Sequence, residues 1–207
     1  MSLFSYDEFY RKKGYTIIAG VDEAGRGCIA GPVVAGAVIL REKLRIEGLR
    51  DSKKLSGQQR KELFWKIMLE ADDVGFGVID VRDIERLNIL EATKKAMIKA
   101  LEMLKIRPQL IMIDAIKLDI PLKQISIKKG DDRSASIAAA SVIAKVLRDW
   151  IMEYYDSLYP YYGFKKHRGY CTKEHLIQLK LYGPCPIHRK TFKHVMDLEL
   201  PFDSIMR

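Results

Sequence analysis

Residues 17 to 40 read Ile-Ile-Ala-Gly-Val-Asp-Glu-Ala-Gly-Arg-Gly-Cys-Ile-Ala-Gly-Pro-Val-Val-Ala-Gly-Ala-Val-Ile-Leu. Ile17 to Val21 predicts a buried strand, and Asp22 and Glu23 stand where that strand should end. Two adjacent acids beside an apolar strand are costly unless they meet water or a cation. Gly25-Arg26-Gly27 follows, a loop whose amides can be approached closely because glycine has no Cβ. The β-branched run Val33–Leu40 then predicts a second strand. Any fold of this chain must bring two carboxylates, exposed amides and an arginine to one place.

The rest of the chain supplies a frame for that place. Residues 1 to 15 predict a short helix or arm. Ser56 and Gln59 fit a capping box, and Leu63, Phe64, Ile67 and Met68 repeat at helical spacing, which predicts a helix to Glu70. Val74 to Ile79 alternates large residues with Gly75 and Gly77, a strand with a close backbone approach. Asp80 predicts the cap of a short helix, and Asn88 to Lys105 a longer one that Pro108 ends. Leu110 to Ile113 is apolar on both faces, predicts a central strand, and runs into Asp114. Gln124 to Ile127 predicts a shorter strand leading to Lys128-Lys129-Gly130-Asp131-Asp132. Ser134 to Tyr159 predicts one long helix whose Ala138-Ala139-Ala140 allows close packing. Beyond the aromatic and basic loop Pro160 to Arg168, Lys173 to Tyr182 predicts a helix stopped by Gly183-Pro184. The expected architecture is α/β, a mixed sheet flanked by helices over residues 1–160, with a small helical C-terminal region, 161–207, packed on it.

The acids then form a pattern. Asp22 and Glu23 end the first strand, Asp114 ends the fourth, and Asp131 follows the fifth. Sites in open α/β sheets lie beyond strand ends. If these strands are neighbours, the carboxylates converge, and two unit charges 4 Å apart repel by ~4 kcal/mol at an effective dielectric of 20. Oxygen ligands without histidine suit Mg²⁺ or Mn²⁺. The chain also carries a formal net charge of +9, which favours a polyanionic partner. Metal-bound carboxylates on a basic protein point to hydrolysis of a phosphodiester without a protein nucleophile. Three cysteines, Cys28, Cys171 and Cys185, are too few and too scattered for a disulfide framework, and no apolar run is long enough to cross a membrane, so a cytoplasmic location is expected.

The sequence resembles the ribonuclease HII (type 2 ribonuclease H) family over nearly its whole length. The resemblance is carried by Gly20-Val21-Asp22-Glu23-Ala24-Gly25-Arg26-Gly27, Asp51-Ser52-Lys53-Lys54-Leu55, Ile113-Asp114-Ala115, Lys129-Gly130-Asp131, Ser136 to Ser141 with Ala144-Lys145-Val146, and a tail of Tyr162-Gly163-Phe164, Gly169-Tyr170 and His188-Arg189-Lys190. It implies a ribonuclease H-like fold and cleavage of RNA in RNA–DNA hybrids. It also implies incision at ribonucleotides embedded in duplex DNA, by a two-metal mechanism. By position, Asp22, Glu23, Asp114 and Asp131 would be the catalytic metal ligands for Mg²⁺ or Mn²⁺. Gly25, Arg26, Gly27 and Tyr170 would read the RNA-to-DNA junction, and Ser52, Lys53 and Lys54 would contact nucleic acid. The expected protein is a monomer without membrane contact.

Three other readings compete. Gly25-Arg26-Gly27-Cys28-Ile29-Ala30 fits the loose dinucleotide pattern G-x-G-x-x-A, but a helix should follow, and Gly31-Pro32 with a β-branched run follows instead. Cys171, His175, Cys185 and His188 have near-zinc spacing, without a Cys-x-x-Cys knuckle. Tyr159, Tyr161, Tyr162 and Phe164 suit a non-catalytic nucleic-acid binder, which leaves the acid cluster without a purpose.

Overall fold

The computed structural model describes residues 3–49 and 55–197. Its centre is a five-stranded sheet built from β1 (Ile18–Ala24), β2 (Val33–Ile39), β3 (Asp73–Ile79), β4 (Leu110–Asp114) and β5 (Gln124–Ile127), in the order β3-β2-β1-β4-β5. β1 to β3 form an antiparallel meander, and β4 and β5 add in parallel beside β1. The sheet is therefore mixed, as expected. The middle strand is β1; β4 is interior beside it, and burial of both its faces marked interior position rather than the centre.

Helices cover both faces. α1 (Leu3–Lys12), α2 (Gly57–Glu70) and the long α5 (Ala135–Leu158) lie on one side; α3 (Val81–Leu87) and α4 (Ile89–Glu102) lie on the other. The local signals explain the boundaries. Ser56 accepts from the Gln59 amide while the Gln59 side chain accepts from the Ser56 amide, a complete capping box. Asp80 and Asn88 cap α3 and α4 by accepting from amides of their first turns. On β3, a Cβ at Gly75 or Gly77 would lie 2.1 Å from the Ala100 or Ala96 carbonyl oxygen, so the expected close approach is to α4.

α5 sets the geometry of the other face. Ala138, Ala139 and Ala140 are fully buried, and a Cβ at Gly20 would sit 2.0 Å from the Ser136 carbonyl carbon. The helix thus touches the β1 backbone just before Asp22, with no side chain between them. β1 alternates: Ala19 and Val21 join the core under α4, while Ile18 packs with Ile137 on the α5 side.

The C-terminal segment adds α6 (Phe164–His167), α7 (Lys173–Tyr182) and α8 (Lys193–Met196). α6 lies inside the stretch Pro160 to Arg168, which was expected to be a loop. A helix of four residues is too short for periodicity to reveal. Tyr162, Phe164, Cys185 and Ile187 pack with Met152 of α5 and Ala30 of the β1–β2 loop.

Candidate active site

β1 continues to Ala24, so Asp22 and Glu23 lie inside the strand and not after it. The cause is pairing: Asp22, Glu23 and Ala24 are held opposite Gly36, Ala35 and Val34 of β2. On the other side Val21 pairs with Ile113, so the next residues, Asp22 within β1 and Asp114 at the end of β4, lie side by side on adjacent parallel strands. Asp114 also pairs with Ile127, the last residue of β5. The chain then turns through Lys129, in the left-handed region at φ 54°, into a 3-10 turn Gly130–Asp132. The Gly130 amide donates to Asp114 Oδ1 at 2.8 Å, tying that turn to the strand end. Asp131 is partly buried there and Asp132 is exposed.

The acids feel one another. Asp22 is 6% exposed, and burial, the Glu23 charge and the Asp114 charge push its carboxyl well above the usual range, against hydrogen bonds from Ser141 and the Glu23 amide. Burial also raises the Glu23 carboxyl, with Arg26 opposing and Asp114 reinforcing. Glu23 Oε1 lies 3.6 Å from Arg26 Nη1, and Oε2 is buried without a hydrogen-bond partner among the described residues. No three His, Cys, Asp or Glu side chains among the described residues gather closely enough to hold an ion as they stand. For Asp22, Glu23 and Asp114 the expected convergence is therefore one of sheet position and field, not of ligating distance. The donor set fits a hard divalent cation: it is all oxygen, mutually repelling, and holds an orphaned buried carboxylate oxygen.

Beside the acids opens a cleft of about 410 Å³, lined by Glu23, Gly25-Arg26-Gly27, Arg60, Lys145 and Tyr170. Its walls join Glu23 to the glycine loop and to a cationic rim; Asp22, Asp114 and Asp131 are not among them. Lys145 bonds Asp149 at 2.7 Å, and its Nζ stands 5.9 Å from the centre of the Tyr170 ring. Tyr170 is 45% exposed, and the buried Cys28 thiol, for which the sequence offered no role, lies near its hydroxyl. A larger hollow of about 720 Å³ between α7 and α8 holds none of the four acids, so size does not mark the chemistry.

Two fully buried arginines shape the glycine loop. Arg148 donates to the carbonyls of Pro32, Ala30 and Arg168 at 3.0, 3.1 and 2.9 Å. Arg189 donates to Gly25 and Gly31 at 2.8 Å and to Arg26 at 3.1 Å. Gly25 has φ 96°, and a Cβ there would meet Arg148 Nε at 2.0 Å, so glycine is needed on both counts. Neither arginine was singled out for a role in the sequence. The available signal was the polar spacing Ser141, Lys145, Arg148 on an otherwise apolar helix, which lines one face at i, i+4 and i+7. Replacing Arg148 by Met strips three carbonyls of their donor and is expected to destabilise the protein by about 2–3 kcal/mol, read as a lower urea midpoint. An unchanged midpoint would contradict this role.

The near-zinc residues are otherwise engaged. His175 and His188 hydrogen-bond each other through Nε2 at 3.0 Å, and Cys185 contacts His188. Burial lowers His175 to about 4 and His188 to about 3. The surrounding titratable groups are His167, stacked on His175, with Cys185 and Tyr162. A histidine held neutral in the fold but free to charge when unfolded contributes stability that is complete above about pH 6.5 and lost as pH falls towards the folded value. Both imidazoles are expected to give neutral-ring ¹⁵N shifts at about pH 5.5, where a free imidazole is mostly protonated; charged-ring shifts would refute this. Ser52, Lys53 and Lys54 lie outside the described residues.

Known proteins match this arrangement. The family model described as Ribonuclease HII matches residues 19–195. A Ribonuclease HII of Bacillus licheniformis is 54% identical over 194 residues, covering 94% of this chain and 76% of the relative. The ribonuclease H2 structure from Pyrococcus horikoshii OT3 superposes with a TM-score of 0.76 at 31% identity, covering 88% of this chain and 97% of that one. Bst-RNase HIII in complex with Mn²⁺ has the same fold at 18% identity, with a TM-score of 0.64 over 88% of this chain and 68% of that one.

Proposed function

Because this chain belongs to the ribonuclease HII family, nucleases that cleave the RNA of RNA–DNA hybrids, we propose that it also incises duplex DNA at single embedded ribonucleotides with Mg²⁺ or Mn²⁺. The fold is ribonuclease H-like, and the chain is a hydrolase. One observation carries the finer reading: Asp22 and Asp114 lie side by side on adjacent parallel strands, near a cleft walled by Glu23, a glycine loop and an exposed tyrosine.

Asp22, Glu23, Asp114 and Asp131 would hold the divalent ions. When bound, such ions lower the pKa of water and neutralise charge on the phosphodiester. The protein's part is to aim and exclude. The Gly25-Arg26-Gly27 backbone, fixed by Arg189, lines the cleft; open space stands where a Cβ of Gly27 would be, and the backbone there suits a 2′-OH. Tyr170 across the cleft suits the flat face of the next sugar, where an added hydroxyl would clash. Arg26, Arg60 and Lys145 supply positive field for a phosphate backbone.

The reading includes Ser52, Lys53 and Lys54 as phosphate contacts. Alanine at Lys53 or Lys54 is expected to weaken binding on all sequences and to reduce the log-affinity salt slope by about one unit. Unchanged slopes in both variants would count against it. Monomeric action in the cytoplasm belongs to the same proposal; no helix among the described residues is long and apolar enough to cross a membrane.

The deciding experiment incubates the protein with duplex DNA carrying one ribonucleotide, in Mg²⁺, Mn²⁺ and EDTA in parallel. Cleavage at the ribonucleotide in metal and none in EDTA is expected. Binding without cleavage under any metal would favour a non-catalytic binder.

A further inference from the structure

Beneath Tyr170 lies a buried chain of hydrogen bonds that the proposed chemistry leaves unused. The Cys185 amide donates to His188 Nδ1 at 3.0 Å. An amide cannot accept, so His188 carries its proton on Nε2. That N–H faces His175 Nε2 at 3.0 Å, which must accept it. His175 therefore carries its proton on Nδ1, and Nδ1 meets the Tyr170 carbonyl at 2.8 Å. A carbonyl cannot donate, so both ends of the chain impose the same direction. With either ring charged, two N–H groups would face each other across one of these contacts. Only two neutral rings in these tautomers satisfy every contact, and His175 and His188 are 0% and 1% exposed.

A third ring supports the chain. The Gly169 amide donates to His167 Nδ1 at 3.2 Å, so His167 Nε2–H donates to the Tyr162 carbonyl at 2.8 Å. His167 stacks on His175 with ring centres 4.2 Å apart. Residues 167 to 170 are held at every position: by the His167 ring, by the Arg168 carbonyl, which accepts from Arg148, by the Gly169 carbonyl, which accepts from the Ile29 and Ala30 amides, and by the Tyr170 carbonyl. A half-exposed aromatic ring on a short loop would otherwise sample several rotamers.

We propose that His175 and His188 are positioning residues for substrate discrimination: their one-directional hydrogen-bond chain from the Cys185 amide to the Tyr170 carbonyl fixes the tyrosine at the cleft and so sets the preference for an RNA-to-DNA junction. This rests on the reading of Tyr170 given above. The histidines touch no substrate; they act through the backbone of residue 170. Their effect is on the ratio of rates, single-ribonucleotide duplex against uniform RNA–DNA hybrid.

The test compares wild type with His175→Leu, His175→Asn, His188→Gln and Tyr170→Ala. Leucine removes the side-chain donor to the Tyr170 carbonyl and leaves only the Thr172 amide, at 2.8 Å, whereas an Asn amide can donate from nearly the Nδ1 position. Loss of one such hydrogen bond should lower the rate ratio about fivefold in His175→Leu, with His175→Asn within about twofold of wild type. Gln at 188 can still donate from near Nε2 and should likewise preserve the ratio. A wild-type ratio in His175→Leu while Tyr170→Ala lowers it overturns the positioning role alone. No change in Tyr170→Ala overturns the tyrosine reading, and the histidines' role with it. Should His175→Leu fail to fold, His175→Asn, His188→Gln and two-dimensional ¹⁵N spectra of the wild type still decide. Nδ1–H on His175 with Nε2–H on His188 is required, and any other tautomer pair refutes the chain.

Discussion

Replacing Asp114 by Asn lowers Mg²⁺-dependent cleavage at least about a hundredfold, because an anionic ligand is lost where two strands bring acids together. The fold survives. Asp114 Oδ1 accepts from the Gly130 amide, and the Asn carbonyl oxygen can accept the same bond. The Asp114 charge raises the carboxyls of both Asp22 and Glu23, so removing it relieves a repulsion in the folded state. The sign follows from linkage. A carboxyl raised in the fold costs stability as pH climbs from its ordinary value through the raised one. In EDTA the variant should therefore melt at or above wild type near neutral pH, and its melting temperature should fall less as pH rises. Single-turnover cleavage and melting curves in EDTA check both halves. A near-normal Mg²⁺-dependent rate would sink the assignment of Asp114.

Tyr170→Ala is expected to lose most cleavage at a single ribonucleotide. RNA and DNA sugars differ only by the 2′-OH, so a junction is read by accepting that group on one sugar and rejecting it on the next. The glycine loop can do the first, and a ring against the second sugar can do the other. Tyr170 borders the same cleft as Gly25-Arg26-Gly27 and is exposed enough to meet a ligand. Alanine removes the surface that the sugar would pack against, a contact worth about 1–3 kcal/mol for aromatic stacking on nucleic acid. Tyr170→Phe keeps the ring and loses only the hydroxyl, so most activity should remain. The measurement is the rate on a single-ribonucleotide duplex relative to a uniform hybrid. If Tyr170→Ala leaves both rates and their ratio unchanged, junction sensing lies elsewhere in the chain.

Much of this frame was legible along the chain because its causes are local. The Ser56–Gln59 capping box, the Asp80 cap, β5 at Gln124–Ile127 and α7 at Lys173–Tyr182 all depend on residues a few positions apart. Gly75 and Gly77 announced a close approach for the same reason, although the partner, α4, could not be named. Asp114 could be placed at a strand end, and the Asp22-Glu23 pair on the first strand, because an apolar run leads directly into each.

What lay beyond reading depends on contacts made across long stretches of chain. That β1 runs on through its acids is decided by pairing with β2, and the nearness of Asp22 and Asp114 by parallel register with β4. Arg148 and Arg189 look like ordinary surface cations until the fold brings to each of them carbonyls from the β1–β2 loop, more than a hundred residues away. The histidine spacing that suggested zinc could not reveal that the imidazoles face each other in one direction beneath Tyr170. Sequence alone determined the helices, the strands and the kinds of atom available at their ends, since backbone propensity and capping act within a few residues. Tertiary structure alone decided which carboxylates share a field, what holds the glycine loop and what orients the tyrosine, since electrostatic and hydrogen-bond energies depend on distance through space.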